Sequence, residues 1–147
     1  MSNDETGTSN ERDLRDEWRT PDWLFKALDA EFALDFDAAA DATNTKCARF
    51  SGDVEKDLKL IRGERVRVFC NPPYSNIDPF VDAALQSPNL WVFILPTRMR
   101  AGWMEKLQDS PRFKPRWYRK RIEFLPPPGI EESSPRNDVF VAIVRPR

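Results

Sequence analysis

The sequence contains no histidine, only two cysteines and no apolar run long enough to cross a bilayer. Without histidine, the chain lacks the usual general base at neutral pH and the commonest zinc ligand. Cys47 and Cys70 form no Cys-x-x-Cys pair, so we expect reduced thiols and neither a metal site nor a disulfide framework. The polar, acidic residues 1–10 are unlike a secretory signal. We therefore expect a cytoplasmic protein that binds neither metal nor membrane.

The composition is that of one ordinary globular domain. Apolar residues make up 40% of the 147 residues and include ten Phe and five Trp, so one hydrophobic core can form. Residues 1–15 lack periodic apolar positions, which predicts a disordered N-terminal tail. The sequence thus predicts a single domain over residues 16–147.

Charge is distributed unevenly along the chain although the net charge is only -1. Residues 1–60 hold 15 acidic and 8 basic side chains, whereas residues 98–121 hold nine basic side chains and two acidic ones. Such a basic segment can neutralise phosphates and give a polyanion one preferred face. A solvated charged surface is the alternative interpretation of the same pattern.

Helix and strand signals alternate, which indicates an α/β protein with parallel strands. Thr20 is a candidate helix cap, Pro21 suits the first helical position, and apolar positions at helical spacing predict a helix ending near Phe32. A second helix is predicted from Asp78 to about Ser87. Apolar segments of strand length occupy residues 33–36, 66–70 and 90–95, with a loop over 38–50 between the first two.

The remaining chain predicts a short helix and three more strands. The helix covers residues 101–107, one strand lies within 112–118, and two further strands cover 122–125 and 139–144. A Pro- and Ser-rich loop joins the last two strands, so we expect them to form a C-terminal antiparallel hairpin. The expected fold is a mostly parallel α/β sheet that carries this hairpin.

Asn71-Pro72-Pro73-Tyr74 follows a predicted strand directly, at the sheet edge where open α/β proteins bind ligands. The Asn71 side-chain carbonyl and the Pro72 backbone carbonyl can each accept one hydrogen of an NH2 group. Two such acceptors turn the nitrogen lone pair outward, and both prolines fix the geometry before substrate arrives. Tyr74 offers an aromatic face for stacking on a base. The loop is therefore predicted to be catalytic, and an ordinary turn is the alternative.

Several separated blocks of the chain resemble one family. They are residues 17–21 with 23–25, residues 34–40 with 44–47, and residues 70–74. In these blocks the chain is similar to the small phage and prophage DNA N-6-adenine methyltransferases of the Dam type. The resemblance implies a Rossmann-like methyltransferase fold and methyl transfer from S-adenosylmethionine to a flipped adenine in double-stranded DNA.

The resemblance also implies that the blocks before the catalytic loop form the cofactor pocket. Asp37 would accept hydrogen bonds from the cofactor amine or ribose, and small side chains would let the cofactor approach closely. Thr20 and Pro21 at a helix N-terminus would hold the methionine carboxylate. The implied cofactor-binding residues are Trp18, Thr20, Pro21, Asp37, Ala38, Ala39 and Asn71. A core or lid role is an equal alternative for Trp18, and the sequence lacks the Phe-x-Gly-x-Gly turn of many methyltransferases.

The chain has no long insertion for a separate target-recognition domain, so DNA contacts are expected from the basic segment. The residues predicted to bind DNA are Arg98, Arg100, Arg119, Lys120 and Arg121. Two other functions use the same features. One is amino methylation of cytosine N4, RNA or a glutamine side chain, and the other is DNA binding by a catalytically idle protein of the same fold.

Overall fold

The computed structural model describes residues 19–53, 65–118, 122–126, 129 and 138–147. The predicted tail over 1–15 and Trp18 lie outside the described residues. Three helices and six strands are defined in this part of the chain. In chain order they are α1 (Asp22–Phe32), β1 (Phe36–Asp37), β2 (Arg49–Phe50), β3 (Arg67–Cys70), α2 (Asp78–Gln86), β4 (Leu90–Pro96), α3 (Gly102–Gln108), β5 (Phe113–Arg116) and β6 (Val139–Val144).

The six strands form one mixed sheet in the order β2-β1-β3-β4-β6-β5. The pairings β1 with β2, β1 with β3 and β3 with β4 are parallel, whereas β6 is antiparallel to both β4 and β5. The α/β class is confirmed. The prediction of a mostly parallel sheet is too strong, because two of the five strand pairings, β4 with β6 and β6 with β5, are antiparallel.

The predicted hairpin of 122–125 with 139–144 is wrong. Residues 139–144 do form a strand, but its neighbours are β4 and β5. Leu125 instead makes an isolated antiparallel bridge with Arg19, in which each backbone N–H donates to the other residue's carbonyl. Ile122 and Phe124 are buried under the α1 side of the sheet, so their apolar character reflects packing and not strand pairing.

Helices cover both faces of the sheet. On one face, α2 and α3 pack against side chains that include Val68, Trp91 and Phe140. On the other face, Leu24 and Leu28 of α1 pack against side chains of β3, β4 and β6. All seven residues of β4 are buried, as expected of a central strand with both faces covered.

The first helix differs from its prediction at the N-terminus. Pro21 occupies the cap position with an extended backbone, and no side chain caps the helix. Thr20 is therefore not the helix cap, and its hydroxyl is used elsewhere, as described below. The helix ends after Phe32 because Ala33 takes a left-handed conformation, with φ of 52°, while its N–H donates to the Asp29 carbonyl.

The strand and helix that flank Asn71 agree with their predictions. The strand β3 ends at Cys70, and α2 begins at Asp78 with Pro79 in its first turn. Within the described ranges, no helix has the length and apolar content needed to cross a membrane. The same ranges contain no group of three or more Cys, Asp or Glu side chains arranged to hold a metal ion.

Candidate active site

A polar cleft opens at the carboxyl ends of β1 and β3. Because the two strands are parallel neighbours, with Asp37 paired to Phe69, the loops that follow them meet at one edge of the sheet. The chain just before α1 closes the cleft from the side. The lining residues are Arg19, Thr20, Asp37, Ala39, Ala40, Asn44, Lys46, Phe69 and Asn71.

Asn71 lines this cleft directly after the end of β3. Its side-chain Nδ2 donates to the Thr20 hydroxyl oxygen at 3.1 Å, which fixes the orientation of the amide. Among the described residues, neither the Asn71 Oδ1 nor the Pro72 carbonyl oxygen has a hydrogen-bonding partner. The loop therefore presents two unused acceptors, as the reasoning from sequence requires for an amine substrate.

Three contacts hold Tyr74 in place. Its hydroxyl donates to the Ile94 carbonyl at 3.3 Å, and its ring meets Phe124 edge-on with centroids 6.1 Å apart. The Arg98 guanidinium donates to the Tyr74 carbonyl at 3.1 Å. Burial raises the pKa of Tyr74 well above its ordinary value, so the phenol stays neutral. Tyr74 is therefore unsuited to act as a base, and its partly buried side chain packs against both hydrophobic clusters of the described residues.

Asp37 is the buried carboxylate of the cleft, with only 4% of its surface exposed. Its Oδ2 accepts a hydrogen bond from the backbone N–H of Lys46 at 2.8 Å. Desolvation raises the pKa of Asp37 from 3.8 to about 6, although the hydrogen bond and charge of Lys46 act in the opposite direction. At neutral pH the site thus holds a carboxylate with little water around it, which favours a ligand that donates hydrogen bonds.

The loop after β1 bends sharply around the cleft. Ala39 has a φ of 96°, a conformation in which glycine is usual, and its N–H donates to the Ser51 carbonyl. The Ala40 N–H donates to the same carbonyl oxygen, so the loop is tied to the chain that follows β2. A tight turn is therefore built here without the expected glycine, at the cost of backbone strain.

Two basic residues that line the cleft were missed as site residues in the sequence analysis. The Nε of Arg19 is buried and has no hydrogen-bonding partner in the described part of the chain. The Lys46 side chain is only 15% exposed, and its Nζ lies 2.8 Å from Asp22 Oδ1. Both residues stand inside the blocks that carry the family resemblance, which was the signal that could have singled them out.

The other residues implied to bind a cofactor fall into two groups. Thr20, Asp37, Ala39 and Asn71 all line the cleft. Pro21 and Ala38 are buried beside it but do not line it, because Pro21 caps α1 and Ala38 packs into the core. Trp18 lies outside the described residues.

The free thiols contribute no reactive group to this cleft. Cys70 is fully buried one residue before Asn71, and burial raises its pKa well above the ordinary value. The same cause raises the pKa of Cys47 to about 12. Both thiols therefore stay protonated at neutral pH and are poor nucleophiles.

The basic segment divides into structural and exposed members. Arg112 donates to four backbone carbonyls at the end of α2 and beyond, and Arg116 forms a paired hydrogen bond with the Glu31 carboxylate. Lys106 lies 2.9 Å from an Asp82 oxygen. Arg98 and Arg100 are exposed, and no carboxylate pairs with them within the described residues. Arg119, Lys120 and Arg121 lie outside the described residues.

A family model for the DNA N-6-adenine-methyltransferase (Dam) family matches residues 7–145. The chain belongs to the Dam family. A Dam relative from Escherichia phage T1, named DNA N-6-adenine-methyltransferase, is 31% identical over 108 residues. The match covers 71% of this chain and 45% of the relative, so the chain spans about half the length of that protein. The matched Dam region includes the whole cleft and the Asn71 loop.

Proposed function

We propose that this chain is an adenine-specific DNA methyltransferase that transfers a methyl group from S-adenosylmethionine to the N6 amine of adenine. The observation that carries the proposal is the oriented Asn71 amide, whose nitrogen is bound to Thr20 and whose oxygen is left as an acceptor. Membership of the Dam family and the name of the phage relative support the same reaction.

The Asn71 loop would activate the amine by orienting it. The two acceptors, Asn71 Oδ1 and the Pro72 carbonyl, take the two N6 hydrogens and draw the nitrogen out of conjugation with the ring. No strong base is required, because the amine can lose its proton to water after its new bond has formed. This chemistry suits a site without histidine, in which Tyr74 stays neutral.

The cleft suits a cofactor with a ribose, an amine and a carboxylate. S-adenosylmethionine would supply an electrophilic methyl group carried on a positively charged sulfonium. Asp37 is a buried acceptor for ribose hydroxyls or the amine, and the unpartnered Arg19 Nε is a donor suited to the carboxylate. Thr20 and the strained Ala39 turn complete the walls. The donors and acceptors of the cleft therefore fit this cofactor.

Adenine in a duplex must leave the base stack to reach the loop, at a cost of about a few kcal/mol. We propose that the Tyr74 ring stacks on the flipped base and offsets part of that cost. Arg98, Arg100, Arg119, Lys120 and Arg121 are proposed to contact phosphates. We further propose a Rossmann-like methyltransferase arrangement in which residues 16–147 act as one domain on DNA in the host cytoplasm.

The direct test incubates purified protein with methyl-labelled S-adenosylmethionine and unmethylated duplex DNA. We expect label in DNA, with N6-methyladenine as the product identified by mass spectrometry after digestion. Label found in N4-methylcytosine, RNA or protein would instead identify that molecule as the substrate. Cofactor binding without transfer to any of them would reject catalysis, and failure to bind either cofactor or DNA would reject the proposal entirely.

Asn71→Ala is the variant that tests the loop. We expect it to lower kcat at least 100-fold while the Kd for S-adenosylmethionine, measured by calorimetry, changes less than about 5-fold. Asn76→Ala is the matched control, because Asn76 is an exposed residue of the same loop. Equal losses in both variants, or a loss of cofactor affinity alone, would remove Asn71 from the role proposed for it.

A further inference from the structure

The turn between β4 and α3 carries an exposed apolar side chain between two exposed arginines. Met99 is 54% exposed and stands between Arg98 and Arg100. Met99, Trp23 and Trp117 are the large apolar side chains with more than half their surface exposed in the described part of the chain. Trp117 stacks on Phe140, with ring centroids 4.6 Å apart, so much of its exposed ring still has a partner in the fold.

The register of the sheet makes this turn project beyond the catalytic loop. Cys70, the last residue of β3, pairs with Phe93, and β4 continues to Pro96. Three further residues of strand carry the next turn roughly 10 Å past the end of β3. The turn at 97–100 therefore overhangs the edge at which Asn71 and Tyr74 lie.

The overhanging turn is tied to the catalytic loop and to the sheet. The Arg98 guanidinium donates to the Tyr74 carbonyl at 3.1 Å. The Thr97 N–H donates to the Asp138 carbonyl at 2.8 Å, and the Ala101 N–H donates to the Arg98 carbonyl at 3.1 Å. The turn is thus held by backbone hydrogen bonds on both sides of Met99. The Met99 side chain belongs to neither hydrophobic core cluster of the described residues.

We propose that Met99 is a wedge that enters the DNA base stack and fills the space left by the flipped adenine. This inference rests on the proposed function, because it assumes that adenine leaves the duplex. Proteins that distort DNA commonly insert an apolar side chain between base steps, and methionine is among the residues used. An unbranched, polarisable thioether packs well against flat aromatic surfaces. The flanking arginines would hold the phosphates on either side of the insertion.

The position of Met99 distinguishes this role from a nonspecific surface contact. A wedge must lie next to the base-binding loop, because it occupies the position from which the target base departs. The Arg98 contact with Tyr74 gives Met99 that proximity in the sequence Arg98-Met99-Arg100. Met99 would act as a substrate-positioning residue, since it touches the bases beside the target and not the reacting amine.

The test compares Met99→Ala with the apolar control Met99→Leu. A target site is first mapped by sequencing DNA methylated by the wild-type protein. Two synthetic duplexes then carry that site, one with the target adenine paired to thymine and one with it opposite an abasic position. We expect Met99→Ala to lower kcat/KM about 10- to 100-fold on the paired duplex and less than 3-fold on the abasic one. Met99→Leu should stay within about 3-fold of wild type on both.

A second measurement places 2-aminopurine at the target position, where its fluorescence rises on leaving the stack. Wild type and Met99→Leu should raise the emission, and Met99→Ala should raise it much less at saturating protein. Equal losses on both duplexes, or no loss on either, would overturn the wedge while leaving the methyltransferase proposal intact. If the initial mapping finds no methylated adenine in DNA treated with the wild-type protein, the proposed function itself is rejected. Unchanged thermal melting of Met99→Ala checks that the exposed substitution leaves the fold intact.

Discussion

At the scale of single residues, Ala39 adopts a strained backbone conformation in the turn after β1. Its φ of 96° is unfavourable for any side chain with a Cβ atom. In the sequence, alanines stand where many methyltransferases have a glycine-rich turn. In the structure the turn forms nevertheless, because two hydrogen bonds to the Ser51 carbonyl hold the backbone in place.

We predict that Ala39→Gly stabilises the protein by about 1 kcal/mol, since glycine adopts this φ without strain. Urea unfolding at neutral pH measures the change. Ala38→Gly is the matched control, because Ala38 is buried in the core and is not at positive φ. It should destabilise the protein. An equal loss of stability in both variants would show that the Ala39 backbone is not strained in solution.

The buried Asp37 carboxyl group should make the unfolding free energy of the protein depend on pH. Burial raises its pKa from 3.8 to about 6, so the native state holds this proton more tightly than the unfolded chain. The contribution of Asp37 to the unfolding free energy therefore falls as pH rises from 3.8 to 6, by about 3 kcal/mol in total.

Asp37→Asn should remove this decrease in the unfolding free energy. The variant should therefore be more stable than wild type at pH 7.5, and the difference should disappear near pH 4. It should also bind S-adenosylmethionine at least 10-fold more weakly, because an amide is a poorer acceptor. Urea unfolding at the two pH values and calorimetry measure the two effects. The control is Asp138→Asn, at an exposed position. A variant less stable than wild type at pH 7.5 would contradict the prediction.

At the scale of elements, the basic segment joins parts of the fold as well as offering charge. Arg112, just before β5, donates to the carbonyls of Ala84 and Leu85 at the end of α2 and to those of Asn89 and Arg145. Cations and donors at a helix C-terminus satisfy carbonyl groups that the helix leaves unpaired. Arg112 therefore connects the C-terminal end of α2 to the antiparallel part of the sheet.

Arg112→Met should lower the unfolding free energy by about 2 kcal/mol and leave DNA affinity nearly unchanged. Arg100→Gln should instead weaken DNA binding and leave the unfolding free energy nearly unchanged. Its stability should stay within about 0.5 kcal/mol of wild type, while the slope of log affinity against log salt becomes shallower by about 1. Chemical unfolding and fluorescence anisotropy at 50–200 mM salt check both variants. If the two variants behaved alike, the division of the basic segment into structural and exposed members would be wrong.

Local sequence signals predicted the elements well and the pairing of strands poorly. The helix from Asp78 and the strand ending at Cys70 have strong local signals, in proline position and apolar runs, and both were found. The partner of β6 depends on contacts between distant segments, which no local signal contains. Residues 122–125 look like a strand because Ile122 and Phe124 are buried, and burial alone does not specify pairing.

Sequence alone could predict the site residues that lie at the ends of neighbouring parallel strands. Asp37 is the last residue of β1 and Asn71 directly follows β3, and parallel neighbours bring such strand ends together at one edge of the sheet. Thr20 was assigned to a helix cap, whereas its hydroxyl accepts from Asn71 across a separation that sequence spacing does not reveal. Arg19 was missed for a similar reason, since only the folded chain shows a buried donor without a partner.

At the scale of the whole molecule, the cleft links cofactor binding to stability. At a concentration of 100 Kd, S-adenosylmethionine should raise the unfolding free energy by about 2.7 kcal/mol and the melting temperature on the order of 10 °C. Differential scanning fluorimetry measures the shift, and Asp37→Asn should show much less of it at the same concentration. A wild-type melting temperature that does not change would exclude binding of the cofactor to the native protein.

The position of β6 between β4 and β5 has a consequence for synthesis of the protein. This strand lies between β4 and β5 although it follows both in the chain, and residues 97–138 separate it from β4. While the ribosome is still making that segment, one edge of the fully apolar β4 has no neighbour, and such edges promote aggregation. We therefore expect this edge of β4 to stay unpaired until residues 139–144 have been synthesised, which exposes the nascent chain to aggregation until its last strand is made.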